Sequence, residues 1–255
     1  MPQLSASESA GHQSPIRDRP PIQTDRALAL LSGGEVELRG RMPHSSNATF
    51  LVDVTIEGLD AQAVYKPVRG ERPLWDFPSG LAHREAGAFW VDAALGWDVV
   101  PPTVVRDDLP FDEGSLQLFM PAHFEEHYFT LVEQERLRPE LERVCALDIV
   151  INNTDRKSGH CLLGTDGTVW AIDNGLSFHS QFKLRTVIWD FAGEPLPDEV
   201  GRDLRSLLDA GLPEPLAAAL TAQEQDATLA RTETLVAAGR FPSDGHGHRW
   251  PWPLV

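Results

Sequence analysis

Residues 151–175 read INNTDRKSGHCLLGTDGTVWAIDNG. The apolar helix ELERVCALDIVINN leads into a polar stretch carrying Asp155 and Arg156. The segment CLLGTDGTVWAID then reads as a hairpin turning at Asp166 and Gly167, residues that tolerate the positive φ of a tight turn. Asp173 closes the second strand, 18 residues beyond Asp155. Two carboxylates presented from loops on either side of a hairpin suit a division of labour. One orients a hydroxyl, and the other holds Mg²⁺, a hard cation that takes oxygen ligands. A structural account also fits: Asp155 paired with Arg156, and Asp173 opening a turn at Asn174 and Gly175.

Upstream, Phe50, Val52, Val54 and Ile56 alternate with Leu51, Asp53 and Thr55, the period of a strand. EGLD turns the chain into a second strand, AVYKP, and EVELRGRM supplies an earlier one. From Leu81 to Leu95 the residues Leu81, Ala88, Val91 and Leu95 share one helical face, ended by Gly96. VVPPTVVR and SLQLFMP follow as strands, the first pushed to a sheet edge by Pro101 and Pro102. Thr24 is placed to cap a short helix, DRALALLS, ending at Gly33 and Gly34. The order predicts a small antiparallel sheet with one helix over 24–120, after a tail over 1–23 too poor in large apolar residues to offset its ordering entropy.

Downstream the pattern is helical. DEVGRDLRSLLDAG ends at Gly211, and Thr221 with Glu224 forms a capping box opening a helix that reaches Gly239. The terminal stretch FPSDGHGHRWPWPLV reads as loop, with Trp250, Pro251 and Trp252 expected to pack on the body and His246 and His248 expected exposed. A second unit over 121–255 results.

The 255 residues contain 42% hydrophobic and 24% charged side chains, which excludes a wholly disordered or fibrous chain. No apolar run is long enough to span a bilayer. The first residues lack the basic start and apolar stretch of a secretory signal, and two cysteines give no disulfide framework, so a cytoplasmic setting is expected. A net charge of −16 opposes nucleic acid and anionic lipid at long range.

Two further residues break pattern. Lys66 lies in the AVYKP strand, and Glu85 lies in the following helix, within HREAGAF. Facing each other they form an ion pair that holds the ammonium toward phosphates; taken singly, each also suits a solvated surface charge. Joined to Asp155 and Asp173, the series YKPVRGE, HRE, INNTDR and IDNGLSFH resembles the kinase-like fold. More closely it is similar to the phosphatidylinositol 3- and 4-kinase-related group, with likeness also to HipA-type protein kinases and a bacterial branch of that group, over roughly Glu35 to Phe191.

The resemblance implies an α+β, two-lobed fold that binds ATP with Mg²⁺ or Mn²⁺ between its lobes. It implies that Lys66 contacts the phosphates, Glu85 pairs with Lys66, Asp155 is the catalytic Asp and Asp173 binds metal. HSSNATF takes the phosphate-loop position, where Ser45, Ser46 and Asn47 bond phosphate, and backbone groups of Leu118, Phe119 and Met120 meet the adenine. The sequence departs from the family twice. Only Gly40 precedes the phosphate loop, and His160 stands where the family has a metal-binding Asn. Imidazole suits Mn²⁺ or Zn²⁺ better than Mg²⁺, but no further Cys or His spacing accompanies His160 and Cys161 to make a zinc site. The expectation is a phosphotransferase acting on a soluble protein or small-molecule hydroxyl. The alternative is a nucleotide-binding pseudokinase acting through a protein partner.

Overall fold

The computed structural model describes residues 21–42, 47–245, 247 and 249–254. The expectations for residues 1–20, for Ser45 and Ser46, and for His246 and His248 therefore lie outside the described residues.

Helix α1 (Thr24–Gly33) precedes strands β1 (Glu35–Arg41), β2 (Phe50–Ile56) and β3 (Leu59–Pro67), helix α2 (Leu81–Leu95), and strands β4 (Thr103–Arg106) and β5 (Gly114–Leu118). The five strands form one antiparallel sheet in the order β1-β2-β3-β5-β4. Thr24 is not the cap of α1. It is the first helical residue, and Gln23 precedes it without a side-chain bond. Ala27, Leu30 and Leu31 lie at i, i+3 and i+4 and turn one stripe onto the sheet, where they join Val52, Val54, Ala63, Tyr65 and Leu116 in a core of their own. The sheet expected to carry one helix thus carries two: α1, read from the sequence as DRALALLS, fills this core, and α2 belongs to the other. Only Thr103–Arg106 of VVPPTVVR pairs, because Pro101 and Pro102 have no N–H to donate, and β4 lies at the sheet edge as expected.

Helix α2 is buried nearly all round, and its Ala88, Phe89, Val91 and Leu95 belong to the larger core below the sheet. With the short strand β6 (Ala122–His123) outside it, that core is built by α3 (Tyr128–Leu131), α4 (Arg138–Ile151), the hairpin strands β7 (Cys161–Gly164) and β8 (Val169–Ala171), α5 (Asp198–Ala210), α6 (Glu214–Ala219) and α7 (Ala222–Ala238). Strands β6, β7 and β8 make a second small sheet. Helix α7 opens with the capping box read from the sequence, Thr221 and Glu224 each bonding the other's backbone N–H. At the C-terminal end Pro251 is buried, whereas Trp252 is 87% exposed and Trp250 40% exposed. Their expected packing is corrected: the proline, flanked by tail backbone already bonded to the body at Arg249 and Leu254, takes the buried place.

Candidate active site

Strand β3 runs between β2 and β5, with Val64 opposite Gln117 and Lys66 opposite Ser115. Side chains alternate along a strand, so Val64 and Lys66 share the face that looks toward the larger core. Lys66 Nζ lies 2.7 Å from Glu85 Oε2 and 2.8 Å from Asp173 Oδ1. Glu85 is buried on α2, and its other oxygen accepts the backbone N–H of Asn174 at 2.9 Å. One carboxylate therefore ties the sheet, α2 and the segment after β8 to a common point. Burial works against the charge of Lys66, but the carboxylates of Asp173 and Glu85 outweigh it and hold its pKa above the usual lysine range. The same ammonium, with burial opposing, keeps Asp173 well below the usual carboxylate range.

Asp155 follows α4 in a turn in which Asn153 Oδ1 accepts the Asp155 N–H at 2.9 Å. Burial raises its pKa, and Lys157, whose Nζ lies 3.3 Å from Asp155 Oδ2, works the other way. Arg156 turns inward instead. Its guanidinium, fully buried, bonds both oxygens of Asp148 on α4, the Ile172 carbonyl at 2.6 Å and Asn174 Oδ1 at 2.5 Å. The alternative structural account, a pair between Asp155 and Arg156, is not formed, since the guanidinium is taken up by Asp148, the Ile172 carbonyl and Asn174. That network fixes the Asp155 turn against the backbone on either side of Asp173.

Two cavities meet at Lys66. One, of about 370 Å³, lies between the sheet and the lower hairpin and is walled by Val64, Leu162 and Ile172. Leu118, Phe119, Met120, Asn47, Lys157, His160 and Asp173 also line it. The other, of about 280 Å³, holds Asp155 beside Leu74, Arg72 and Leu176. Lys66, Asp173 and Asn47 border both. The backbone N–H groups of Leu118 and Phe119 are bonded to Pro102 O and Gln62 O, each at 2.9 Å, so those two donors are already spent within the protein.

His160 Nε2 approaches Asp173 Oδ2 at 3.3 Å, and its Nδ1 receives the Lys157 N–H at 3.4 Å. Burial lowers its pKa to about 4. With Nδ1 accepting, the neutral ring carries its proton on Nε2 and donates to Asp173.

The residues singled out from the sequence thus converge, apart from Ser45 and Ser46, which lie outside the described residues. Sequence reasoning passed over Lys157, which reaches both Asp155 and the larger cavity. It also passed over Asp148, the buried partner of Arg156. An Asp in the middle of the apolar run VCALDIVI was a readable sign of a buried ion pair.

A family model described as "Phosphatidylinositol 3- and 4-kinase" matches residues 98–228, just over half of the chain. "Protein Rv2133c" of Mycobacterium tuberculosis is 38% identical over 90% of this chain and 95% of its own length. Among solved structures, hydra Fam20 with sugar matches at a TM-score of 0.54 and 14% identity, covering 84% of this chain and 87% of that one. The Helicobacter pylori proinflammatory kinase CtkA matches at 0.45 and 10%, covering 82% and 93%. The likeness to the Fam20 structure concerns the fold, which is α+β, two-lobed and kinase-like, as expected from the sequence.

Proposed function

The chain belongs to the phosphatidylinositol 3- and 4-kinase family, and from that premise we propose that it is an ATP-dependent phosphotransferase. It moves the γ-phosphate of ATP to a hydroxyl of a soluble protein or small molecule. The observation carrying this reading is Lys66 Nζ, held between Glu85 and Asp173 at the seam of two cavities. The larger cavity takes the nucleotide, between lobes spanning 24–120 and 121–255. The smaller takes the acceptor, whose hydroxyl is oriented by Asp155 and loses its proton to that carboxylate as the new O–P bond forms and the bond from the γ-phosphorus to the β–γ bridging oxygen breaks, ADP leaving with that oxygen. Lys66 and Lys157 hold positive charge against the phosphate oxygens, where charge shifts during transfer.

Asp173 suits a metal ligand, being ionised and half-exposed toward the cavity. Mg²⁺ or Mn²⁺ bound there supplies charge stabilisation to the phosphates. Among the described residues no three His, Cys, Asp or Glu side chains converge as a metal cluster, a pattern compatible with an ion that takes its remaining ligands from phosphate and water. For His160 to ligate through Nε2, its proton must pass to Nδ1, giving up the Lys157 N–H bond.

A single-turnover assay with labelled ATP and each metal, scanning proteins and small alcohols, tests the reading. Asp173→Ala is expected to abolish metal-dependent stabilisation by ATP while the fold survives. Lys66→Ala is expected to slow transfer more than it weakens binding. Transfer at the wild-type rate in both variants overturns the assignment. Stabilisation by ATP without any transfer favours a pseudokinase.

A further inference from the structure

Gln117 is a buried polar residue on β5 that lines the larger cavity, opposite Val64 on one side and Thr103 on the other. Residues directly opposite in antiparallel strands project to the same face, so the three side chains form a row, in which Val64 and Gln117 line the cavity and Thr103 stands behind Gln117. Its hydrogen bonding determines which way its amide points. Thr103 Oγ1 donates its single proton to the Pro101 carbonyl at 2.7 Å, a group that only accepts. The same hydroxyl lies 2.9 Å from the Gln117 amide and must accept there, so the NH₂ faces Thr103. Oε1 is left for the cavity, and among the described residues no protein group donates to it. A carbonyl oxygen fixed at the cavity wall loses its access to water when the cavity fills, and so asks for a donor from whatever enters.

Resting on the reading of this cavity as the nucleotide site, we infer that Gln117 selects the nucleobase, its side-chain oxygen accepting a hydrogen bond from an exocyclic amino group. Adenine offers a 6-amino donor, whereas guanine and hypoxanthine present an oxygen there and meet Oε1 acceptor to acceptor. The Thr103 hydroxyl is a positioning group, because it prevents the amide from turning to offer its NH₂ instead. With the Leu118 and Phe119 N–H groups already engaged, the side chain carries discrimination that neither of those backbone donors supplies. A site built to bond a donor rejects the analogue lacking it because its own polar group is left unpaired.

The test titrates the full chain with ATP, ITP and GTP, each with Mg²⁺, by calorimetry and thermal shift. Wild type is expected to bind ATP at least about tenfold more tightly than ITP or GTP. Gln117→Met, similar in volume, brings the ATP-to-ITP ratio close to one. Thr103→Val frees the amide to turn and raises ITP and GTP affinity relative to ATP. Melting curves without nucleotide report whether each variant folds, and either variant alone is sufficient. Equal affinities in wild type, or an unchanged ratio in a folded variant that still binds nucleotide, overturns the role of Gln117 and leaves the nucleotide site standing. Failure of every nucleotide to bind wild type overturns both.

Discussion

Asp173 is shared by two neighbours of opposite character. Lys66 approaches Oδ1 as a permanent cation, while His160 approaches Oδ2 with a neutral ring whose pKa burial has lowered to about 4. The imidazole is therefore a hydrogen-bond donor as it stands and becomes a ligand only by changing tautomer. A nitrogen ligand favours Mn²⁺ over Mg²⁺ relative to an amide oxygen. If His160 enters the coordination sphere, His160→Asn shifts the ratio of Mn²⁺- to Mg²⁺-supported transfer back toward Mg²⁺, by about tenfold, the low end of the effect of altering a metal site's supporting groups. Initial rates with each metal measure this, and an unchanged ratio confines His160 to orienting Asp173. Lys157 and Asp155 pair at 3.3 Å, so the carboxylate proposed to orient the acceptor and the cation proposed to face the phosphates belong to one turn of chain.

Helix α2 joins distant parts of the molecule through three of its residues. Glu85 meets Lys66 and Asn174, Arg84 bonds the Ser177 carbonyl at 2.8 Å and Glu224 of α7 at 2.5 Å, and Asp92 caps the turn that follows. Gly87 lets the helix lie this close, since a Cβ there would come within 2.9 Å of Leu216 and 3.0 Å of the Phe178 ring. Gly87→Val is expected to cost about 1–3 kcal/mol through overpacking and to lower transfer by displacing Glu85 from Lys66. Urea denaturation beside a transfer assay reads both, and wild-type stability would show that the contact yields freely. Asp92 is 1% exposed and accepts the N–H groups of Val99 and Val100. Burial pushes its pKa to about 7, with those two N–H groups pulling the other way. Its folded pKa lies above the unfolded value near 3.9, so its stabilising contribution is complete below about pH 4 and is lost as pH rises through 7. Relative to Asp92→Asn, the wild type is expected to lose on the order of a few kcal/mol between pH 4 and 8. Parallel pH profiles for the two chains would remove Asp92 from the account.

At the scale of the whole molecule, family membership raises the question of lipid substrates, and the charge distribution weighs against them. The chain carries −16 overall, and between Asp173 and Asp198 its only Lys and Arg residues are Lys183 and Arg185. Lys183 is engaged, its Nζ bonding the Asp76 carbonyl at 2.5 Å and lying 3.8 Å from the Asp76 carboxylate. With a Debye length of about 8 Å at physiological salt, so few cations offset the long-range field only in part. Among the described residues no helix is long and apolar enough to cross a membrane. Little or no co-sedimentation with phosphoinositide vesicles at physiological salt is expected. Firm association, or phosphorylation of the lipid faster than of soluble acceptors, would restore a lipid substrate.

Local pattern was enough to read α2 from Leu81 to Leu95, the hairpin between Asp155 and Asp173, and the capping box of α7, because each depends on residues within a few positions of one another. The order of Lys66, Glu85, Asp155 and Asp173 along those elements was likewise legible, and it pointed to the kinase-like fold. Partnerships between distant positions were not. That Arg156 serves Asp148 and not Asp155, that α1 fills the sheet core, that Trp252 stays in solvent while Pro251 is buried, and that the Gln117 amide is turned by Thr103 all follow from competition among groups brought together by folding. A sequence names the donors and acceptors, but which donor an acceptor receives depends on distance and on which other groups have already been satisfied, and only the packed chain settles both.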